Sequence, residues 1–245
     1  MTIELLLRVI GYLSLLAAIA YLVYLFAPPQ LLETLRSRLP RPRLHGPPES
    51  ESLDLPAWGR YMSELEGYDS EHAARIATLA RKLGQAAGLP PDVLDSLEQA
   101  AYLHDLGQED MAPMLSKPAP LTPSEREKLR EHSLLGERMV REIGLGPEPA
   151  LWVRWHHERM DGTGYPDGLM GDAIPLPARV LAIAEFYEAI THRRPFREAL
   201  DPDEAMAELH RLAGISYDSR LVSVFAESVY PRLLDSESSR PGDAP

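Results

Sequence analysis

The chain of 245 residues contains no cysteine. Disulfide bonds, cysteine-bound zinc and a thiol nucleophile are therefore excluded, and any metal must be bound by His, Asp and Glu. Basic residues are also scarce, since 25 Lys and Arg stand against 37 Asp and Glu and give a net charge of −12. A nucleic-acid polymer is a disfavoured partner, because phosphate backbones are bound by clustered Lys and Arg. A phosphorylated small molecule would need a local positive centre, which a metal can supply.

One uncharged hydrophobic run lies near the N-terminus, VIGYLSLLAAIAYLVYLF, residues 9–26. As a helix it would be about 27 Å long, close to the thickness of a bilayer core. We predict a transmembrane anchor over residues 1–26, with membrane contact through residues 5–26. A cleaved signal peptide, whose apolar region usually has only about 7–15 residues, and a buried helical hairpin are the alternatives.

The segment after this run is rich in arginine and proline. Four arginines occur in RSRLPRPR, residues 36–43. Because basic residues stay on the cytoplasmic side of a span, we expect a single-pass protein of the inner (cytoplasmic) membrane with its main domain in the cytoplasm. Residues 27–57 contain seven prolines and are predicted to be a linker. Residues 236–245 are predicted to be a disordered tail.

Beyond the linker the apolar residues recur with helical spacing. Segments 72–88 and 91–107 each carry one apolar face and end at a glycine. Residues 178–190, ARVLAIAEFYEAI, are apolar almost all round, as in a central helix. Capping boxes predict that further helices begin after Thr122 and Asp201. Since no alternating strand pattern is present, the predicted fold class is all-α.

Five of the eight histidines lie on or at the ends of predicted helices: His72, His104, His132, His156 and His157. Asp105 follows His104 between Leu103 and Leu106, so this pair is expected to face the core. A buried carboxylate is costly unless something positive meets it. Each histidine alone is most simply a core or surface residue with ordinary partners. Convergence of all five on Asp105 would indicate a metal site, but helical periodicity does not show convergence.

Long segments of the chain resemble the HD-GYP family, a branch of the HD metal-dependent phosphohydrolases. AYLHDLG resembles the helix that carries the family's His–Asp pair, and MLSKPAPLTPSEREKLREHSLLG resembles the segment that ends in a ligand histidine and a glycine. HHERMDGTGYPDGLMGDAIPLPARVLAIAEFYEAIT is similar to the GYP signature over its full length. RPFREAL and ISYDSRLVSVF match the downstream segments in order and spacing. The resemblance implies an HD-type helical bundle, which we place at residues 58–235.

The resemblance also implies a site for two divalent metal ions. The expected ligands are His72, His104, Asp105, His132, His156, His157 and Glu185. Asp105 would bridge two ions, with Glu185 on the side of His72, and His104 and Asp105 would be the catalytic pair. Two such ions polarise phosphoryl oxygens and lower the pKa of a bound water. Nitrogen and oxygen ligands suit iron or manganese, and the sequence does not choose between them.

The Gly/Pro-rich loop after the adjacent histidines is implied to form one wall of the substrate pocket. Glycine lets backbone amides approach a phosphate or a base, and proline stiffens the loop. The expected substrate-binding residues are Gln108, Gly164, Tyr165, Pro166, Arg194 and Arg197. Tyr165 would offer a stacking face and a hydroxyl. The guanidinium groups of the two arginines are suited to binding phosphates. Alternatively, these arginines are solvent-exposed charges of a loop.

Two departures from the family's usual pattern affect the expected activity. The lysine that usually follows HD-x-G is Gln108 here, and the aspartates of a later motif are replaced by Glu185 and Glu188. The implied function is a membrane-anchored phosphodiesterase that hydrolyses cyclic di-GMP, slowed by these departures. The alternatives are a degenerate domain that binds the nucleotide or a partner protein without turnover, and a phosphohydrolase of another nucleotide. A homodimer or a signalling partner is compatible with each.

Overall fold

The computed structural model describes residues 53–115, 121–193 and 198–238. The predicted anchor, most of the linker and all but the first residues of the predicted tail lie outside these ranges, as do Arg194 and Arg197. Within the described ranges, no helix combines the length and the apolar character needed to cross a membrane.

The described part of the chain is built from helices, with one isolated bridge between Ala213 and Tyr217. The α-helices in chain order are α1 (Leu55–Glu66), α2 (His72–Ala86), α3 (Pro91–Tyr102), α4 (Ala112–Leu115), α5 (Pro123–Arg130), α6 (His132–Glu142), α7 (Pro147–Trp155), α8 (Leu176–Thr191), α9 (Pro202–Arg211), α10 (Ser219–Val224) and α11 (Tyr230–Ser238). Two 3-10 helices, Leu106–Met111 and Gly171–Ala173, and a π-helical turn, Phe225–Val229, complete the set. The predicted all-α fold class is confirmed.

The helix predicted over residues 91–107 ends earlier, at Tyr102. In a continuing helix the carbonyl of Ala101 would accept the amide hydrogen of Asp105. Here that carbonyl oxygen lies 2.9 Å from Nδ1 of His104, so the ring takes the acceptor that the helix would need. The His104–Asp105 pair therefore stands in a turn between α3 and the following 3-10 helix. Both predicted capping boxes are confirmed, at Thr122 and at Asp201.

Helix α8 is the central helix, as its apolar composition predicts. It packs against α2, α3, α7 and α9. Leu181 and Ile183 on α8 have no exposed surface, and neither do Ile76 on α2 and Leu97 on α3. Burying one aliphatic side chain contributes about 1.5–3 kcal/mol. This burial fixes α8, and with it the two glutamates that α8 carries toward the histidines.

The turn that carries His104 and Asp105 packs backbone to backbone against α6. A Cβ atom added at Gly107 would lie 2.0 Å from the carbonyl oxygen of His132 and 2.6 Å from the amide nitrogen of Gly136. A Cβ atom added at Gly136 would lie 2.8 Å from Val153. Only glycine therefore fits at position 107 without moving the backbone of α6. The two glycines let the start of α6 approach the His–Asp turn.

Candidate metal centre

Six of the seven predicted metal ligands form two groups that share one residue. The first ligand group is His72, His104 and Asp105. The second ligand group is Asp105, His132, His156 and His157. Within each group the ligand atoms lie within 4.8 Å of one another. The position of Asp105 in both groups is that of the bridging carboxylate implied by the resemblance.

The ligands stand at the ends of four helices. His72 and His132 are the first residues of α2 and α6, and His156 directly follows α7. His104 and Asp105 follow α3. Sequence positions that lie far apart therefore meet because the packed helices bring their ends together.

Three of the histidine rings are oriented by the same local contact. The ring Nδ1 lies 2.5–2.9 Å from the carbonyl oxygen of the residue three positions earlier, at His104, His132 and His156. Since a carbonyl oxygen only accepts, Nδ1 is the protonated nitrogen in each ring. Nε2 is thereby turned toward the other ligands. This arrangement is typical of metal-binding histidines, whose second nitrogen is held by a carbonyl or a carboxylate.

The nitrogen atoms that face the centre suit a cation. Nε2 of His132 and Nε2 of His156 lie 3.4 Å apart, and both carry lone pairs if Nδ1 is protonated. Nε2 of His104 is buried, lies 2.9 Å from Oδ2 of Asp105 and makes no hydrogen bond of acceptable geometry with the described residues. Lone pairs at these distances repel one another unless a proton or a metal ion lies between them. The donor set therefore fits divalent metal ions.

The protonation states also favour metal binding. Burial lowers the pKa of His72, His132, His156 and His157, in His156 to about 3, so these rings are neutral near pH 7. Neutral imidazole is the form that binds metals. Burial also opposes the charged form of His104, but the Asp105 carboxylate outweighs it and raises the pKa of His104 to about 10. In the metal-free protein a proton on His104 balances Asp105, and a metal ion would displace that proton.

The two glutamates of α8 contact different histidines of the centre. Glu185 belongs to neither ligand group, and its Oε2 lies 3.9 Å from Nε2 of His156. Glu188 is buried, and its Oε2 lies 2.7 Å from Nδ1 of His72. Arg75 donates to Oε1 of Glu188 from Nε and Nη2, at 3.0 and 2.6 Å. The predicted role of Glu185 as a metal ligand on the side of His72 therefore stays a prediction, and the carboxylate that contacts His72 in the structure is that of Glu188.

Gln108 faces the ligands and not the substrate cavity. Its Nε2 donates a hydrogen bond to Oδ1 of Asp105, the oxygen that lies 3.5 Å from Nε2 of His132. The 3-10 helix places position 108 one turn after Asp105, so a short amide side chain folds back onto the carboxylate. The predicted contact of Gln108 with substrate stays a prediction, and in the structure the amide of Gln108 orients the shared aspartate.

Glu158, which the sequence reasoning did not single out, holds the Gly/Pro-rich loop. Its side chain is buried, and its carboxylate oxygens accept from the amides of Asp167 and Leu169 at 2.7 and 3.0 Å. Asp167 in turn accepts from Nε of Arg154 at 2.7 Å. The loop is therefore held by Glu158 directly and, through Asp167, by Arg154 of α7. The sequence signal that could have identified Glu158 is an acidic residue just before a Gly-rich run, whose backbone amides need hydrogen-bond acceptors.

The predicted substrate-binding residues of this loop have different surroundings. A Cβ atom added at Gly164 would lie 2.4 Å from the amide nitrogen of Arg159, so Gly164 is required for packing. The ring of Tyr165 lies 4.8 Å from the ring of His157, and burial raises the pKa of the Tyr165 hydroxyl well above its usual range. The peptide bond between Tyr165 and Pro166 is cis. Tyr165, unlike Gly164 and Pro166, lines the cavity beside the ligands.

A cavity of about 340 Å³ opens beside the second ligand group. Its walls include His156, His157, Tyr165, Glu185, Phe186 and Tyr217. The rings of Phe186 and Tyr217 lie 4.9 Å apart and form an aromatic wall. A second cavity, of about 330 Å³, adjoins it and shares Arg130 and Tyr165. Volumes of this order are typical of small-molecule sites.

Comparison with known proteins agrees with this geometry. Residues 64–221 match the family model described as HD domain, and the chain belongs to this family, in its HD-GYP branch. It is 36% identical over 180 residues to the cyclic di-GMP phosphodiesterase response regulator RpfG of Xanthomonas campestris, which covers 71% of this chain and 47% of that protein. It is 32% identical over 161 residues to the 3'3'-cGAMP-specific phosphodiesterase 1 of Vibrio cholerae, covering 64% of this chain and 37% of that protein.

A solved structure shows the same fold. The crystal structure of a cyclic GMP-AMP specific phosphodiesterase of Vibrio cholerae superposes with a TM-score of 0.57 at 17% identity, over 75% of this chain and 49% of that one. The chain spans about half the length of the first curated relatives that it matches. The HD-type helical bundle is therefore established.

Proposed function

We propose that the chain is a metal-dependent phosphodiesterase that hydrolyses cyclic di-GMP. The observation that carries this proposal is the sharing of Asp105 by two ligand groups beside a cavity of nucleotide size. Relatives named as cyclic di-GMP phosphodiesterases support the choice of substrate. Two divalent ions, iron or manganese by the chemistry of the donors, would polarise the phosphoryl oxygens and activate a water.

The chain's own residues would bind and orient the substrate. Tyr165 is held against His157 and presents a rigid ring to the cavity, and Phe186 and Tyr217 offer a second aromatic surface. Stacking of a base on an aromatic side chain contributes about 1–3 kcal/mol. Glu185, which lines the cavity near His156, is placed to accept a proton or a hydrogen bond from the bound ligand.

We propose slow turnover, because position 108 carries no positive charge. Losing one hydrogen-bond donor to the developing negative charge in an active site costs about 2.7–4 kcal/mol, or roughly 10²–10³ in rate. Gln108 retains an amide donor, but this donor contacts Asp105, so a loss anywhere in that range is expected. Gln108→Lys should raise kcat, measured with the metal content of both proteins determined in parallel.

The decisive experiment is turnover by the purified full chain in detergent, loaded with manganese or iron. Hydrolysis of cyclic di-GMP would be followed by chromatography, with 3'3'-cGAMP assayed in parallel because some relatives are named for it. We expect cyclic di-GMP to be cleaved with two metal equivalents bound. A protein with both metals bound that cleaves neither nucleotide would refute the proposal, and preference for 3'3'-cGAMP would correct the substrate.

A receptor without turnover is the second candidate. It is favoured by the contact of Gln108 with Asp105 and by the position of Glu185 outside both ligand groups. A metal-loaded Gln108→Lys protein that binds cyclic di-GMP and remains inert would decide for the receptor.

We also propose anchorage in the inner membrane, with the helical domain in the cytoplasm. The uncharged run of residues 9–26 and the arginines of residues 36–43 support this topology. We expect a fused C-terminal reporter of a type that works only in the cytoplasm to be active. Release of the intact chain from membranes by high salt would contradict the anchor.

A further inference from the structure

Arg130 lies where the two cavities beside the metal centre meet. It lines both cavities, and its Cζ lies 5.3 Å from the centroid of the Tyr165 ring. Arg130 is the last residue of α5 and stands two positions before His132. Its guanidinium therefore shares a cavity with the second ligand group.

The guanidinium of Arg130 is only weakly engaged by its neighbours. Its ion pair with Glu127 is long, 3.6 Å, and the two side chains are 55% and 76% exposed. Exposed pairs of this kind contribute little, because water and salt screen them. Arg159 is the other Lys or Arg among the described residues of the larger cavity, and it donates to Asp161 at 3.0 Å and to Thr163 at 2.8 Å. Among the described residues that line the larger cavity, Arg130 is thus the cation best placed to take a new anion.

A cyclic dinucleotide brings two phosphodiesters, and the metal centre can act on only one at a time. The other phosphate keeps its negative charge inside a protein of net charge −12, where burial without a partner is costly. A guanidinium fork matches the oxygens of a phosphate, and the ring of Tyr165 limits the freedom that Arg130 would lose on binding.

We propose that Arg130 binds the phosphate that is not cleaved, and that this contact makes the site selective for cyclic dinucleotides over single phosphodiesters. The inference rests on the proposed phosphodiesterase function and adds a specificity-determining residue that the motifs do not indicate.

The test compares Arg130→Gln with Lys128→Gln in the metal-loaded full chain. Both variants remove one positive charge from α5, but Lys128 is exposed and lines neither described cavity. Each protein would be assayed on cyclic di-GMP, which has two phosphates, and on bis(p-nitrophenyl) phosphate, which has one. We expect Arg130→Gln to lower kcat/KM for cyclic di-GMP relative to the small diester by about 10- to 100-fold, mainly through KM. Lys128→Gln should leave this ratio at the wild-type value.

The result that overturns the inference is an equal loss on both substrates, since Arg130 would then act through Tyr165 or the metal ligands. Wild-type kcat/KM values of Arg130→Gln on both substrates overturn the inference as well. If the wild type cleaves only the small diester, the proposed substrate fails, and calorimetric binding of cyclic di-GMP replaces turnover as the readout. Weaker binding by Arg130→Gln than by Lys128→Gln would then support the phosphate contact, and equal affinities would refute it.

Discussion

The two ligand groups share one aspartate, but they are held by different means. In the second group the rings of His132 and His156 are fixed by the backbone carbonyls of Leu129 on α5 and Val153 on α7. In the first group His72 is held by the carboxylate of Glu188, which is itself held by Arg75. The backbone thus orients the second group, whereas the first group combines one backbone contact, at His104, with a series of polar side-chain contacts at His72.

This difference has an energetic consequence. The buried histidines of the second group are neutral, so their burial carries no ionic cost. Burial disfavours the charged form of Glu188, but His72 and Arg75 hold the pKa of Glu188 below its usual value. Removing one partner of a buried ion pair leaves an uncompensated charge. The first ligand group should therefore be the more sensitive to substitutions outside the ligands.

The largest effect is expected where the two groups meet. Asp105→Ala removes the carboxylate that both groups use, and we expect loss of both metal ions and a fall in turnover of at least about 10³-fold. Metal content by mass spectrometry and hydrolysis of cyclic di-GMP measure the two losses. Asp95→Ala, which removes an exposed carboxylate paired with Arg81, is the control and should retain both. Retention of one tightly bound ion by Asp105→Ala would show that the groups are independent.

Gly107→Ser should disturb the backbone-held half selectively. The new Cβ would meet the carbonyl oxygen of His132 and the amide of Gly136, so α6 must move away from the His–Asp turn. We expect a destabilisation of about 1–3 kcal/mol in urea unfolding and a larger loss of metal affinity in the second group than in the first. Gly146→Ser, at a position with open space, is the matched control. Equal losses in both groups would contradict the assignment.

Arg75→Gln should disturb the other half. Without the guanidinium, Glu188 loses its ion pair with Arg75, and the ring of His72 is less firmly oriented. We expect the affinity of the first group for metal to fall by about 10–100-fold, while the second group keeps its ion. A metal titration followed by calorimetry resolves the two steps. Arg81→Gln, also on α2 and also paired with two carboxylates, should leave both steps unchanged.

The smallest effect concerns the Gly/Pro-rich loop beside the second group. Hydrogen bonds from Arg154 lower the pKa of Asp167 to about 2, below its usual value near 3.8. Because the folded-state pKa is the lower one, this contact stabilises the fold above pH about 4 and is lost as the pH falls toward 2. Its contribution should stay below about 1 kcal/mol, since Asp167 is one-third exposed. The stability difference between wild type and Asp167→Asn should shrink between pH 5 and 3, and a constant difference would contradict this origin.

Local patterns predicted the fold well because helices depend on neighbouring residues. The capping boxes at Thr122 and Asp201 and the all-apolar α8 follow from spacing alone. The early end of α3 could not be read in this way, because it depends on the His104 ring taking the carbonyl of Ala101.

The site was only partly predictable for a related reason. Motif order indicated the six residues that converge, but it did not tell Glu185 from Glu188, which lie one helical turn apart on α8 and face different histidines. The orientation of Gln108 toward Asp105 depends on a 3-10 turn that has no clear sequence signal. The placement of Arg130 at the cavity depends on tertiary packing.

The shared carboxylate of Asp105 has a consequence for how the protein responds to its surroundings. Its Oδ2 lies toward His104 and its Oδ1 toward His132. Binding of a metal ion by one group would release the proton of His104 and hold the carboxylate of Asp105 in one rotamer, which would also order that carboxylate for the other group. Coupling of this kind is reciprocal, and each ion then raises the affinity for the other. The two steps of a metal titration would therefore lie closer together than two independent groups would give.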